Sequence, residues 1–237
     1  MFDQTRTKLV ELPYKFKGAR LGSADWLIKA EVTYGGLVIG VARNKVSSLD
    51  PRSPEQLAFG GMTGGDRMLH HGYAPVYARF LRPFLGIQNL KLAEFGILKG
   101  TGLAIWCDLF PEACVLGFDI DPAHYQFNRA ELQRRGAFRR NLPEVFEYDQ
   151  LQNGTSTLTA ALQGDTLDIV IDDGLHSIES IVMTWRSVRP HLSRPFVYFI
   201  EDYAGLVEQY GDEFAGFDIG SFGMMTVISA GIPQGDN

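Results

Sequence analysis

The feature that most constrains the fold is an alternation of short apolar runs with longer stretches of helical spacing, which begins near Asn89. The apolar runs are Leu90 to Phe95, Val115 to Phe118, Leu167 to Ile171 and Phe196 to Ile200, and helical spacing falls near 101–110, 122–136 and 177–192. Strands that are apolar on both faces need helices on both faces, as in parallel sheets of α/β proteins. We therefore predict a doubly wound, mostly parallel sheet. A strand signature at 221–228 predicts a closing antiparallel pair.

Residues 1–62 lack this alternation and contain dense turn signals around one β-like run, Leu37 to Val46. We predict that 1–62 form an N-terminal cap and that 63–237 form the main domain.

A glycine-rich loop joins these two parts, and it leads into a predicted helix from Ala74 to Leu85. The loop is expected to cover the ligand crevice, with Tyr73 and Tyr77 closing over a bound ligand. The alternative, which the spacing favours, is that these tyrosines belong to a packed aromatic face of the helix together with Phe80 and Phe84.

Charge and composition exclude several classes of partner. The 237 residues include 22 Lys or Arg and 28 Asp or Glu, giving a net charge of −6 without a cluster of basic residues. This argues against binding to a nucleic-acid backbone. No long apolar segment predicts a signal peptide or a membrane span, and Cys107 and Cys114 do not form a disulfide framework or a zinc motif. We expect a cytoplasmic protein with a small-molecule partner and no nucleic-acid or membrane partner. A homo-oligomer is possible, and the sequence does not decide the oligomeric state.

The first strand of the alternating region ends in a glycine-containing turn that opens directly into a helix. Glycines there let a ligand approach the backbone closely. Their spacing, GxxxGxG from Gly96, disfavours the dinucleotide fingerprint, and no P-loop pattern is present. The second strand ends in Asp119, which can accept hydrogen bonds from the hydroxyls of a ribose. The alternative is that Asp119 or Asp121 only caps the next helix.

Two pairs of acids follow two strands that a doubly wound sheet places side by side. Asp172 and Asp173 end one strand, and Glu201 and Asp202 end the other. Two like charges about 4 Å apart repel by about 4 kcal/mol at an effective dielectric constant near 20. A shared proton, an intruding Arg or Lys, or a divalent cation would offset this repulsion. Because neither motif contains a basic residue, Mg²⁺ is the preferred solution, with Asp173 and Asp202 as main ligands and Asp172 or Glu201 contributing. The alternative is that Asp173 and Asp202 cap helices.

His176 follows Asp173 by three positions, at the predicted first turn of a helix. A helix N-terminus disfavours the imidazolium form, so a neutral histidine there can accept a proton. We interpret His176 as a general base. The alternative is a histidine that only hydrogen-bonds locally.

The segments that carry these features are AEFGILKGTG, GFDIDP and IDDGLH. Together they resemble class I S-adenosylmethionine-dependent methyltransferases. Within that class, the chain is most similar to metal-dependent macrolide sugar O-methyltransferases of the mycinamicin type and to their cephalosporin hydroxylase-like relatives, over about residues 63–202. The resemblance implies S-adenosylmethionine and Mg²⁺ as cofactors. Leu175 replaces a small polar residue common in the family.

The resemblance also implies roles for individual residues. Glu94, Gly96 and Gly100 would line the methionine side of the cofactor, Asp119 would hold the ribose, and Asp149 would contact the adenine amino group. Read from the sequence alone, Asp149 is a turn acid. His71 and Tyr73 also carry over from the family, and Tyr73 is assigned to the cofactor side.

The function predicted from the sequence is therefore an S-adenosylmethionine- and Mg²⁺-dependent O-methyltransferase. Its acceptor would be a sugar hydroxyl of a saccharide or of a glycosylated secondary metabolite, as in antibiotic biosynthesis, with His176 as the base. The alternatives are a methyltransferase of a catechol-like phenol, a hydroxylase-like enzyme on the same fold, and a non-catalytic cofactor-binding module. A non-haem iron site prefers two histidines and one carboxylate, which this pattern does not offer.

Overall fold

The computed structural model describes residues 18–39, 60–62, 66–152 and 154–232. Within these residues the strands are β1 (Leu37–Ile39), β2 (Gly60–Met62), β3 (Lys91–Phe95), β4 (Cys114–Asp119), β5 (Glu144–Glu147), β6 (Leu167–Asp172), β7 (Leu192–Ile200), β8 (Asp218–Phe222) and β9 (Met225–Ala230). The helices are α1 (Ala24–Gly35), α2 (Ala74–Leu81), α3 (Thr101–Leu109), α4 (Ala123–Arg134), α5 (Thr155–Leu162), α6 (Ile178–Val188) and α7 (Leu206–Tyr210). Single 3₁₀ turns at Arg82–Phe84, Arg189–His191 and Gly211–Phe214 follow α2, α6 and α7.

The main sheet has seven strands in the order β5-β4-β3-β6-β7-β9-β8. The first five strands in this order are parallel, and β9 pairs antiparallel with both β7 and β8. The predicted doubly wound sheet, the adjacency of β6 and β7, and the closing antiparallel pair are therefore confirmed. The single apolar run expected at 221–228 contains the turn of that pair, where Gly223 has a φ of 68°.

Alternation along the buried strands sends neighbouring side chains to opposite faces of the sheet. In β3, Leu92 packs in the cluster that contains Trp106, whereas Phe95 packs in the cluster that contains Trp185. Both tryptophans are fully buried. Glu94 has the same parity as Leu92 and therefore points to the Trp106 side, where a buried carboxylate needs a polar partner.

Helix α1 was not predicted from the sequence. Ser23 caps its N-terminus by accepting a hydrogen bond from Trp26 N, and Leu27, Ala30 and Tyr34 form its buried stripe. This stripe joins the same apolar cluster as α2 and α3. The N-terminal segment therefore contributes to the core on that face of the sheet, whereas the domain boundary at residue 62 stays a prediction.

Other differences from prediction are local. The β-like run expected from residue 37 is a strand over Leu37–Ile39, pairing antiparallel with β2, and its remainder lies outside the described residues. Helix α5 was not predicted. Cys107 in α3 and Cys114 at the start of β4 are free thiols. Among the described residues, no helix has both the length and the apolar character needed to span a bilayer.

Candidate functional site

The glycine loop and the two predicted acid pairs lie at the carboxyl ends of three adjacent strands, β3, β6 and β7. Phe95 at the end of β3 is in register with Asp172, which is in register with Ile200 at the end of β7. The strand hydrogen bonding continues past these ends, because Asp173 N donates to Phe95 O at 2.8 Å and Glu201 N donates to Asp172 O at 2.9 Å. The two acid pairs are therefore side by side, as predicted from the topology.

A buried arginine lies among these acids. Arg67 is 7% exposed, and its guanidinium pairs with Glu94 at 2.6 Å, with Glu201 at 3.2 Å and with Asp173. It comes from the turn that precedes α2, far from either acid motif in sequence. An intruding arginine, one of the alternatives left open from the sequence, is therefore present, although neither acid motif contains it. Arg67 is the main site residue that sequence reasoning missed.

One guanidinium does not neutralise three carboxylates. Burial raises the pKa of Glu94, Asp173 and Glu201, while the charge of Arg67 opposes that effect in each case. The Tyr77 hydroxyl also donates a hydrogen bond to Glu201. The repulsion is thus relieved by Arg67 and by a tendency to retain protons, which are two of the three solutions considered from the sequence. When all three acids are ionised, their three negative charges exceed the single positive charge of Arg67.

One group of side chains has the geometry of a cation site. Asp173, His176 and Asp202 each offer a ligand atom, and these atoms all lie within 4.8 Å of one another. Mg²⁺ holds oxygen ligands at about 2.0–2.1 Å, so opposite ligands lie about 4 Å apart, and a small contraction would fit this group to the ion. Carboxylates suit Mg²⁺ better than imidazole does. The two aspartates therefore fit a magnesium ion as direct ligands.

The other two predicted metal ligands do not join this group. Asp172 accepts hydrogen bonds from Gln150 Nε2 at 2.7 Å and from the Tyr198 hydroxyl at 3.3 Å, and burial raises its pKa to about 6. Glu201 is held by Arg67 and Tyr77. Both carboxylates are almost fully buried. Asp172 and Glu201 are therefore held by protein groups on opposite sides of the sheet, and their contribution to a metal site stays a prediction.

Two side chains of the turn that carries Arg67 contact the carboxylate of Asp202. The Tyr73 hydroxyl donates to Asp202 Oδ1 at 2.5 Å, and His71 Nδ1 lies 3.7 Å from the same oxygen. The carboxylates of Asp66 and Asp202 raise the pKa of His71 to about 8. Tyr73 and Tyr77 are both buried, so the interpretation of Tyr77 as a closing lid is wrong and the packed aromatic face is confirmed. The assignment of Tyr73 to the cofactor side stays a prediction.

His176 lies just before α6 rather than in its first turn. Ser177 is the N-cap of that helix and forms a capping box with Ser180, which leaves His176 in the loop with a φ of 57°. Asp173 is therefore not the cap of α6. His176 Nε2 lies 3.7 Å from Asp173 Oδ1, and the side chain is 22% exposed. The imidazole is accessible to a ligand and close to the candidate cation ligands.

Gln150 supports the loop that carries Asp173 and His176. Its Nε2 donates to Asp172 and to Thr184, and its Oε1 accepts a hydrogen bond from Leu175 N at 2.9 Å. Because Gln150 and Asp149 follow β5, this contact ties the end of β5 to the end of β6. Asp149 itself accepts hydrogen bonds from Leu151 N and from a neighbouring glutamine. It is a turn acid in the structure, and its contact with adenine stays a prediction.

The glycine loop after β3 is held against the acid loop after β6. Gly96 has a φ of 84°, and a Cβ atom there would collide with the backbone of Asp173. Gly100, with a φ of 77°, directly precedes α3. Asp119 Oδ2 accepts hydrogen bonds from Ile97 N at 2.8 Å and Leu98 N at 2.9 Å. Asp119 therefore fixes the glycine loop by accepting hydrogen bonds from two of its amides, and its binding to a ribose stays a prediction.

Asp121 accepts a hydrogen bond from Ala123 N at 3.2 Å, at the start of α4, although the N-cap of this helix is Pro122. One buried polar atom at the end of the glycine loop, Thr101 Oγ1, has no hydrogen-bond partner among the described residues. Buried polar groups without partners are costly. A polar ligand or a bound water at this loop would remove that cost, so the residues present fit a cofactor such as S-adenosylmethionine.

The chain resembles methyltransferases of macrolide pathways. No protein-family model matches it. Over 139 residues it is 30% identical to demethylmacrocin O-methyltransferase of Streptomyces fradiae and 28% identical to L-olivosyl-oleandolide 3-O-methyltransferase of Streptomyces antibioticus. Each match covers 56% of this chain and 32% of the relative, so the chain matches about a third of the length of these curated relatives.

Solved structures show the same fold. MycE methyltransferase from the mycinamycin biosynthetic pathway, in complex with Mg and SAH, matches with a TM-score of 0.53 and 20% identity, over 70% of this chain and 51% of that one. Its complex with Mg, SAH and mycinamycin VI matches with a TM-score of 0.52, 22% identity and the same coverage. The chain thus has the Rossmann-like fold of S-adenosylmethionine-dependent methyltransferases.

Proposed function

We propose that this chain is an S-adenosylmethionine-dependent O-methyltransferase that uses a divalent cation to methylate a sugar hydroxyl of a saccharide or of a glycosylated secondary metabolite. The observation that carries the proposal is the joint position of two features. The Asp173, His176 and Asp202 group lies directly beside the glycine loop, because Gly96 is packed against the backbone of Asp173. An acceptor held at the group would therefore face a cofactor held at the loop.

On the cofactor side, Glu94, Gly96 and Gly100 would contact the methionine part, Asp119 the ribose and Asp149 the adenine. S-adenosylmethionine supplies an electrophilic methyl group on a sulfonium. The loop contributes by letting this group approach the backbone closely, while Tyr73 keeps Asp202 in place at the acceptor side. The relatives' names support an acceptor of the macrolide or glycoside class.

On the acceptor side, Asp173 and Asp202 would hold the cation. The chemistry that such a cation would supply at these residues is a lower pKa and a fixed orientation for a substrate hydroxyl. His176 would then accept the hydroxyl proton at Nε2, where Asp173 Oδ1, 3.7 Å away, stabilises the imidazolium formed. Two neighbouring hydroxyls of a sugar could bind the cation held by Asp173 and Asp202, and this would orient the reacting oxygen.

The test is a methyl-transfer assay with S-adenosylmethionine and a panel of glycosylated and catecholic acceptors, read by mass spectrometry as a gain of about 14 Da per methyl group. We expect methylation of a glycosylated acceptor, loss of activity with a chelator, and recovery with Mg²⁺. Turnover that is unchanged by chelation would remove the cation from the mechanism. Methylation of catechols alone would show that the acceptor is a phenol and not a sugar. Failure to bind S-adenosylmethionine in calorimetry would overturn the proposal.

The role of His176 is tested in the same assay. In His176→Ala we expect kcat to fall by about 10²- to 10⁴-fold, the usual contribution of a general base, with unchanged affinity for S-adenosylmethionine. The matched control is His191→Ala, because His191 lies at the opposite end of β7 from Glu201 and Asp202. A fully active His176→Ala would exclude the base role. Cation binding is measured by calorimetry with Mn²⁺ in place of Mg²⁺. Loss of Mn²⁺ binding in His176→Ala would indicate that His176 is a metal ligand and not the base.

A further inference from the structure

A buried acid of α1 contacts the turn that carries Arg67. Glu31 is 1% exposed, and its two carboxylate oxygens accept hydrogen bonds from Met68 N and Leu69 N, each at 2.9 Å. Hydrogen bonds of backbone amides to a carboxylate are charge-assisted and stronger than neutral ones. Helix α1 is itself fixed in the core by Leu27 and its neighbours. Glu31 therefore joins the N-terminal helix to this turn.

The turn is compact and depends on external partners for its first amides. His70 N and His71 N both donate to Asp66 O, at 3.1 and 2.9 Å, and Tyr73 N donates to Arg67 O at 3.0 Å. In a turn of this helical kind the amides nearest its start have no partner within the turn. Glu31 satisfies two of them from outside, as a capping side chain does at a helix N-terminus.

Side chains of this turn reach acids at three strand ends. Arg67 pairs with Glu94 near the end of β3, with Asp173 after β6 and with Glu201 after β7. Tyr73 and His71 contact Asp202, the second of the aspartates proposed to hold the cation. A displacement of the turn would therefore change the environment of both proposed cation ligands.

The place of Arg67 leaves little room for such a displacement. Its guanidinium carbon lies 5.6 Å from the ring centre of Trp106, and a Cβ atom on Gly102 would collide with Arg67 and Glu94. Because protein interiors are close-packed, even a small movement of the turn that carries Arg67 would break some of these contacts.

We propose that Glu31 is a positioning residue of the site: by binding the amides of Met68 and Leu69 it holds Arg67, His71 and Tyr73 against the acids at the ends of β3, β6 and β7. The N-terminal helix thereby takes part in the organisation of the site through a residue that does not touch it. The expected effect on turnover rests on the proposed function, whereas the expected effects on the turn and on cation binding do not.

The experiment compares the full chain with Glu31→Ala, which removes both acceptors, and Glu31→Gln, which keeps one acceptor oxygen. Lys29→Ala is the matched control, because Lys29 is exposed on the same helix. Three quantities are measured at about pH 8, above the raised pKa of Glu31, and below the melting temperature of every variant. They are hydrogen exchange of the Met68 and Leu69 amides, Mn²⁺ affinity by calorimetry, and kcat and KM for methyl transfer.

In Glu31→Ala we expect exchange of these two amides to be about tenfold faster, as for loss of a charged hydrogen bond. We expect Mn²⁺ to bind about tenfold more weakly, as when a residue that supports metal ligands is removed. The kcat should fall by about 10- to 100-fold, because misplacement far from the chemistry has effects of this size. Glu31→Gln should lie between Glu31→Ala and the wild type, and Lys29→Ala should match the wild type.

A purely structural role would lower the melting temperature of Glu31→Ala and leave Mn²⁺ affinity and kcat of the folded protein unchanged, which would overturn the inference. Unchanged amide exchange in both variants would overturn it as well. If Glu31→Ala does not fold, Glu31→Gln decides by the same criteria. Absence of methyl transfer by the wild type would reject the proposed function alone, because amide exchange and Mn²⁺ binding still test Glu31.

Discussion

Arg67 shows how one residue can shape the electrostatics of a site. A guanidinium carries five N–H donors in a planar fork, so it can face several carboxylates at once, which a lysine ammonium on its flexible stem does less well. Glu94 and Glu201 are almost fully buried beside it. Removal of a buried cation leaves its partners as uncompensated charges, and the cost of that usually exceeds the value of the pair itself.

We therefore expect Arg67→Met to lower the free energy of unfolding by about 3–5 kcal/mol. Saturating Mn²⁺ should restore part of this loss, because a divalent cation can replace the missing positive charge. Arg67→Lys should have an intermediate stability. The measurement is urea unfolding with and without Mn²⁺, with exposed Arg82→Met as the control, expected to change by less than about 0.5 kcal/mol. A Met variant with wild-type stability would show that Arg67 does not neutralise the acids.

At this scale the sequence predicted the residues at strand ends and missed those that arrive by tertiary packing. Asp173, His176 and Asp202 were named because each follows an apolar run, and the structure brings them together. Arg67 belongs to an irregular turn, and no periodicity connects such a turn with a particular strand end. Its neighbour Asp66 and the preceding glycines were signals of a turn only. Gln150, in the loop after β5, donates a hydrogen bond to Asp172, a contact that no local pattern indicates.

Among the elements, α3 is the one whose sequence most directly serves the site. It contains Gly102 in its first turn, although alanine has the better helix propensity. The reason is space, because the Arg67 and Glu94 side chains meet directly over this residue. The helix is weakened locally so that a buried ion pair can form beside it.

Gly102→Ala should therefore destabilise the protein despite its better helix propensity. The added methyl group would collide with Glu94 Oε1 and would lie 2.6 Å from Arg67 Nη1, so we expect a loss of about 1–3 kcal/mol, typical of overpacking. The measurement is thermal or urea unfolding. Gly211→Ala is the control, because a Cβ atom there meets open space, and it should be neutral or stabilising. Equal stability of both variants would show that α3 moves to make room.

The elements that the sequence predicted correctly are those with strong local signals. Continuous apolar runs identified β3, β4, β6 and β7 because these strands are buried on both faces. Helix α1 was missed although Leu27, Ala30 and Tyr34 have helical spacing, since the turn signal at Gly35 and Gly36 dominated the pattern. The surfaces that bury α1 belong to α2 and α3, so its stability depends on contacts that local sequence does not show.

For the molecule as a whole, buried acids make stability depend on pH. Burial raises the pKa of Glu31 from 4.5 to about 7 and that of Asp172 from 3.8 to about 6. The native state therefore binds these protons more tightly than the unfolded chain does. The contribution to stability is complete below the unfolded pKa values and is lost as the pH rises through the folded ones. We expect the protein to become less stable between about pH 4.5 and about pH 7 through these groups.

Glu31→Gln tests this quantitatively. From about pH 5.5 to about pH 8, the ionisation of Glu31 should remove about 2 kcal/mol from the free energy of unfolding of the wild type, and this component should be absent in the variant. The measurement is urea unfolding at both pH values. Asp25→Asn, an exposed change on the same helix, should keep the wild-type difference. An identical pH dependence in wild type and Glu31→Gln would mean that Glu31 titrates alike in both states.

The ion pairs of Arg67 also have a consequence for biosynthesis on the ribosome. They connect residues that are 27 to more than 100 positions apart in the chain. Arg67 is translated before every strand of the main sheet, and Glu201 is translated only after its five parallel strands. Contacts between distant positions form late because the intervening chain must first be ordered. The guanidinium therefore stays hydrated until the strand that precedes Glu201 has been made and paired, and the acidic site around Arg67 forms only after that step.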